Sequence, residues 1–117
     1  MNKVLEKSLL NKVERLEAFE ERASINFENL SIKVSSWGGI TIFFEVYPKN
    51  GSSIPVENGN INLECILYGK ENKILETDNR SLYPEDFFGF ELVKFIFNDE
   101  NIADEIKKIR IYPKIGS

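Results

Sequence analysis

The chain predicts an antiparallel β-sandwich of about seven short strands preceded by one N-terminal amphipathic α-helix. Three observations predict it. The apolar period changes from helical to alternating at Ser24. Gly, Pro and Asn then punctuate the chain at strand-length spacing, with no helical pattern between the runs. Finally, 117 residues of which 42% are hydrophobic and 29% charged suit a single folded domain with one core. The natural boundary lies near Arg22 to Ser24, giving a helix over 1–23 and a sandwich domain over 24–117.

The helix is read from Leu5, Leu9, Val13, Leu16 and Phe19, which fall on one stripe roughly 120° wide on a helical wheel. Its charges oppose the helix dipole, with Lys3 and Lys7 near the start and Glu20 and Glu21 near the end. Glu17 and Glu21 are a like-charged pair one turn apart. Such a helix needs a surface to lie on, either its own domain or a partner chain. Two heptads are too few to specify a coiled coil.

The strands follow in order. Leu30, Ile32 and Val34 alternate with Ser31 and Lys33 up to the break at Trp37-Gly38-Gly39. Ile40, Ile42, Phe44 and Val46 form the inward row of the next strand, which ends at Pro48-Lys49-Asn50-Gly51. After Glu57-Asn58-Gly59 come Ile61, Leu63, Cys65 and Leu67, then a turn at Gly69 to Asn72 and a short strand from Lys73 to Thr77. Pro84-Glu85-Asp86 introduces an aromatic strand over 87–97. Its apolar row moves from Phe88, Phe90 and Leu92 to Val93, Phe95 and Phe97, which predicts a bulge near Leu92 or burial on both faces. Phe88, Phe90, Phe95 and Phe97 are all expected in the core. The last strand alternates Ile109, Ile111 and Pro113 with Lys108, Arg110, Tyr112 and Lys114. This count fits an immunoglobulin-like sandwich better than a five-stranded OB barrel.

A resemblance is carried by CILYG at Cys65 to Gly69, a charged turn, a strand ending near Thr77, LYPEDFFGFELVKF and IKKIRIYPK. This layout resembles the FxLYD-type family of bacterial immunoglobulin-like domains over residues 61–113. Leu67 and Tyr68 match the motif, while Cys65 stands where Phe is usual and Gly69 where Asp is usual. The resemblance implies a fold and an accessory role. It brings no catalytic residue.

Absences limit the chemistry further. There is no histidine and one cysteine, Cys65, which reads as an inward, inert position. Serine and cysteine triads, histidine-bearing zinc sites and disulfide frameworks are excluded, and no cofactor is expected. A net charge of -4 argues against general binding to nucleic acid or anionic membrane. Charges at 3, 6, 7 and 12 interrupt any signal peptide or membrane span, so a cytoplasmic protein is expected unless an export signal has been removed.

Asn98 to Glu105 is acidic but lacks calcium-loop spacing, and reads as a loop or helical turn with Ile102 and Ile106 inward. Lys108, Arg110 and Lys114 around Tyr112 read as protection of an edge strand. Neighbouring carboxylates such as Glu85 and Asp86, or Asp104 and Glu105, do not aim at a common substrate, so no enzyme is expected.

The candidate site is an apolar surface. By alternation Phe43, Tyr47, Ile66, Tyr68 and Tyr112 face outward, and residues 1–22 are expected to dock on that row through Leu5, Leu9, Val13, Leu16 and Phe19. The expected function is a non-catalytic protein-binding or assembly module that presents an aromatic face. Its partner is another protein, or a second copy engaged through the N-terminal helix. Two other readings fit the composition: a small acidic inhibitor or immunity-type protein, and a carbohydrate-binding module using Trp37 and exposed tyrosines.

Overall fold

A computed structural model of the chain describes residues 3–51 and 53–115, so Met1, Asn2, Ser52, Gly116 and Ser117 lie outside it. In chain order, α1 (Lys3–Leu10) leads to β1 (Val13–Arg15), α2 (Glu17–Ala23), β2 (Ile25–Val34), β3 (Ile40–Pro48), β4 (Ile61–Tyr68), β5 (Ile74–Leu82), β6 (Glu91–Phe97), α3 (Ile102–Glu105) and β7 (Lys108–Ile115). The strands form two sheets, one in the order β1-β7-β4-β5 and the other β2-β3-β6. The connections β3 to β4, β5 to β6 and β6 to β7 each pass from one sheet to the other. The mainly β sandwich with helical structure at its N-terminus is therefore present.

Alternation supplies the core as predicted. Ile40, Ile42, Phe44 and Val46 of β3 face Ile61, Leu63, Cys65 and Leu67 of β4 across the interior, with Ile109 and Ile111 of β7 and Val93, Phe95 and Phe97 of β6 buried beside them. Phe44 links the rings of Phe27 and Phe95, at centroid distances of 4.6 and 5.9 Å. Burying each ring of this size contributes about 1.5–3 kcal/mol. α3 is the helical turn expected, and Ile102 and Ile106 are buried.

The N-terminal segment departs from the predicted single helix. It is broken by β1, whose Val13, Glu14 and Arg15 pair in parallel with Ile109, Arg110 and Ile111 of β7. Sheet pairing satisfies the backbone here, and it overrides a helical pattern already weakened by its charges. Leu9 is fully buried, while Leu5 and Val13 pack against the core from its margin. Leu16 caps α2, its carbonyl accepting from the N–H groups of Phe19 and Glu20. α2 thus joins the edge of one sheet to the edge of the other, packing on β7 and β2, and α1 packs on β2.

An ion pair fastens this bridge. Arg15 Nη2 and Nε donate to the two carboxylate oxygens of Glu20 at 2.6 and 3.1 Å, and the guanidinium lies over the Phe27 ring at 5.7 Å. Glu20 is the one buried charged residue among those described, at 3% exposure. Its carboxylate raises the Arg15 pKa, chiefly through the hydrogen bond.

Two strand expectations change as well. The register slip before Val93 is neither a bulge nor double burial, because β6 begins only at Glu91. Phe87 turns inward, and the Phe90 N–H donates to the Phe88 carbonyl at 2.9 Å in a three-residue turn centred on Gly89. Gly89 has φ +75°, which a side chain would make costly there. The turn throws Phe88 and Phe90 outward, so only Phe95 and Phe97 of the four predicted core phenylalanines are buried. Likewise β7 is an interior strand between β1 and β4, so its basic stripe does not protect an edge.

Candidate interaction surface

The predicted outward residues do point away from the core, but they do not form one row. Phe43 and Tyr47 lie on the three-stranded sheet, whereas Ile66, Tyr68 and Tyr112 lie on the four-stranded sheet, so the two groups look out from opposite sides of the sandwich. Alternation separates inward from outward. It carries no information on which sheet a strand joins, and β3 and β4 join different ones.

On the four-stranded sheet the aromatics are occupied. Tyr112 meets Phe19 of α2 edge-on at 5.6 Å. Tyr68 is covered by the Lys108 ammonium at 4.5 Å and the Arg110 guanidinium at 5.4 Å, and its hydroxyl accepts from Arg110 Nη1 at 3.3 Å. Arg110 Nε in turn donates to Glu14 of β1 at 2.6 Å, which raises the Arg110 pKa. Burial, followed by the nearby Glu64, raises that of Tyr112. The basic stripe thus acts as a lid on its own tyrosine.

The three-stranded sheet is different. Leu10, Glu6 and Lys7 of α1 border a shallow groove of about 420 Å³ that reaches Phe43. Tyr47 stacks on Phe90 at 5.3 Å with the rings 14° from parallel, and its hydroxyl donates to Glu45 at 3.1 Å. Burial and then Glu45 raise its pKa. Beyond Phe90 the outer row of β6 continues with Leu92 and Ile96, at 55% and 48% exposure, and Phe88 stands 80% exposed at the turn. Sequence reasoning missed Leu92 because it assigned it to the buried row, and left Ile96 unnamed although the inward row Val93, Phe95 and Phe97 places it outward. The available signal was Gly89, a turn residue inside an otherwise continuous aromatic run.

The remaining candidates are dispersed. Trp37 sits exposed in the β2–β3 turn with no ring packed against it among the described residues. Glu85 and Asp86 lie in an exposed helical turn, and Asp104 and Glu105 lie in α3. Glu76 shares a hydrogen bond with Asp99, which raises its pKa. No cluster of three or more side chains suited to a metal ion occurs among the described residues. Burial, with Asp78 adding to it, pushes the Cys65 thiol strongly upward. No described helix is long and apolar enough to cross a membrane. No family model matches the chain, and no curated protein or solved structure does either.

Proposed function

We propose that this chain is a non-catalytic protein-binding or assembly module, acting in the cytoplasm, whose binding surface is the β6 side of the three-stranded sheet. The observation that carries the reading is the row Phe88, Phe90, Leu92 and Ile96, each about half exposed or more, running along one edge of the sandwich. Exposed aromatic and aliphatic side chains gathered along one edge, here interrupted only by Lys94, support a protein contact. The helix stripe, by contrast, is used within the chain, where Leu9 is buried. A lone thiol without a disulfide fits a reducing compartment.

An immunoglobulin-like origin is supported by strand order, since β2-β3-β6 and β7-β4-β5 follow the A-B-E and F-C-C′ arrangement of such domains. On this reading β1 takes the position of the last strand, in parallel instead of antiparallel orientation. The likeness of Cys65 to Gly69 to the FxLYD-type motif agrees with that origin.

The test is cross-linking capture in the native cell with the intact chain and with a variant carrying Phe88→Ser and Phe90→Ser. Phe88 is 80% exposed and Phe90 about half, with its ring stacked on Tyr47, so the variant should stay folded and melt within about 6 °C of the parent. The reading expects it to lose a protein that the parent captures reproducibly. Identical capture by both forms would count against it.

A further inference from the structure

We propose that the free edge of β6 takes up an extended segment of a partner protein, which adds a fourth strand carrying a carboxylate opposite Lys94 and apolar side chains two residues to either side. This rests on the protein-binding reading above and specifies its mode.

The backbone assigns the edge. The Ser35 N–H donates to the Gly39 carbonyl at 2.9 Å, so the pairs in phase with it, Lys33 with Thr41 and Ser31 with Phe43, are the hydrogen-bonded ones. At the other end of the hairpin, Lys49 N–H donates to the Ser24 carbonyl at 2.9 Å, and the next pair joins Ile25 to Pro48, which has no N–H. Both ends give the same phase. Thr41, Phe43, Glu45 and Tyr47 bond β2, and Ile40, Ile42, Phe44 and Val46 bond β6. The β3–β6 register then commits Glu91, Val93, Phe95 and Phe97 to that ladder. The N–H and C=O groups of Leu92, Lys94 and Ile96 face outward, with no backbone partner among the described residues.

The other sheet edges are defended. β2 is overlaid by α1 and α2, with the Glu6 carboxylate on its backbone. β1 is three residues long. β5 carries a register shift and a polar run through Thr77, Asp78, Asn79, Arg80 and Ser81. β6 has seven residues, no bulge and no proline, and its one defence is Lys94 between two exposed aliphatics, a charge that opposes a neutral or basic strand and admits an acidic one. A groove of about 390 Å³ runs beside it, bounded across the gap by Arg80 to Leu82 of β5.

Charge chooses the occupant. Lys94 lies midway between Leu92 and Ile96 and forms no ion pair among the described residues. Arg80 also borders the groove, bound to Asp78 at 3.0 Å, and Glu91 is the only carboxylate lining the groove among the described residues. A strand with a carboxylate opposite Lys94 supplies the missing counter-charge. A second copy does not. Antiparallel pairing of β6 with itself sets Lys94 against the other lysine, or against Leu92 or Ile96 when shifted by two residues.

The probe is the capped peptide TVTETVT, which presents valine, glutamate and valine on one face in either direction. Amide exchange is read residue by residue by NMR. At millimolar peptide the amides of Leu92, Lys94 and Ile96 should slow by at least about tenfold, while Val93 and Phe95 remain as protected as before. In Lys94→Glu the preference should reverse toward TVTKTVT, changing relative affinity by roughly threefold to tenfold.

Edge amides that do not slow would overturn strand addition. The protein-binding reading would survive if Phe88 and Phe90 still govern capture, and both would fall if they do not. Equal binding of the two peptides by the parent would overturn the acidic partner. Edge protection that grows with protein concentration alone would assign the edge to a second copy and overturn the proposal.

Discussion

Truncation of Arg15 to alanine tests whether the N-terminal bridge belongs to the cooperative fold. The substitution removes both donors from Glu20, whose side chain is only 4% exposed, and leaves a buried carboxylate without its partner. Stripping one partner from a buried pair costs about 3–5 kcal/mol. Arg15 is itself 35% exposed, so water can enter the vacated space and the lower end, about 3 kcal/mol, is expected. For a chain of 117 residues the unfolding entropy is about 0.25 kcal/mol per kelvin, so the melting temperature should fall by about 10 °C. Calorimetry reads this directly. Replacing the pair together, Arg15→Met with Glu20→Leu, should recover most of the loss because no charge is then left buried. An Arg15→Ala protein that melts within about 2 °C of the parent would refute the reasoning. So would a double variant no more stable than the single one.

Phe95→Ala should cost about 3–5 kcal/mol in chemical denaturation and Phe88→Ala less than about 0.5, since one ring is fully buried and the other 80% exposed; similar losses would contradict the turn at Gly89. Gly38→Ala should lower the melting temperature, because Gly38 has φ +90° and an added Cβ would lie 2.6 Å from the Asn101 Cα; an unchanged melt would show that the two loops part freely. Cys65 should resist thiol reagents in the native state. Its folded pKa is raised, so above about pH 8.5 the unfolded chain gives up the thiol proton while the folded chain keeps it, and stability should fall by up to about 1.4 kcal/mol per pH unit. Cys65→Ala should flatten that alkaline slope, and an unaltered slope would mean that other groups cause it.

What could be read from the sequence was what depends on one strand at a time. The inward rows of β3, β4 and β7 follow from period two alone, as do the outward positions of Phe43, Tyr47, Ile66, Tyr68 and Tyr112. What depends on two distant segments was not legible. Val13 to Arg15 form a strand only because Ile109 to Ile111 lie alongside them, and locally they continue a helical stripe. β5 extends to Leu82, past the expected end at Thr77, because its residues opposite Leu63, Cys65 and Leu67 are Arg80, Asp78 and Glu76. That strand borders the open side of the sandwich, so its inward positions are polar and the alternation disappears. The candidate surface was half legible: Phe43 and Tyr47 were placed outward, but Phe88, Phe90 and Leu92 were assigned to the core because the turn at Gly89 was not recognised.

The parallel pairing of β1 with β7 joins the beginning of the chain to its end, across Val13 and Ile109. Synthesis proceeds from the N-terminus, so residues 13–15 leave the ribosome long before their sheet partner exists. Until then the leucine stripe has only its local preference to follow, and that preference is helical. Closing this contact joins positions 13 and 109, so it carries a larger loop-closure cost than any hairpin of the sandwich.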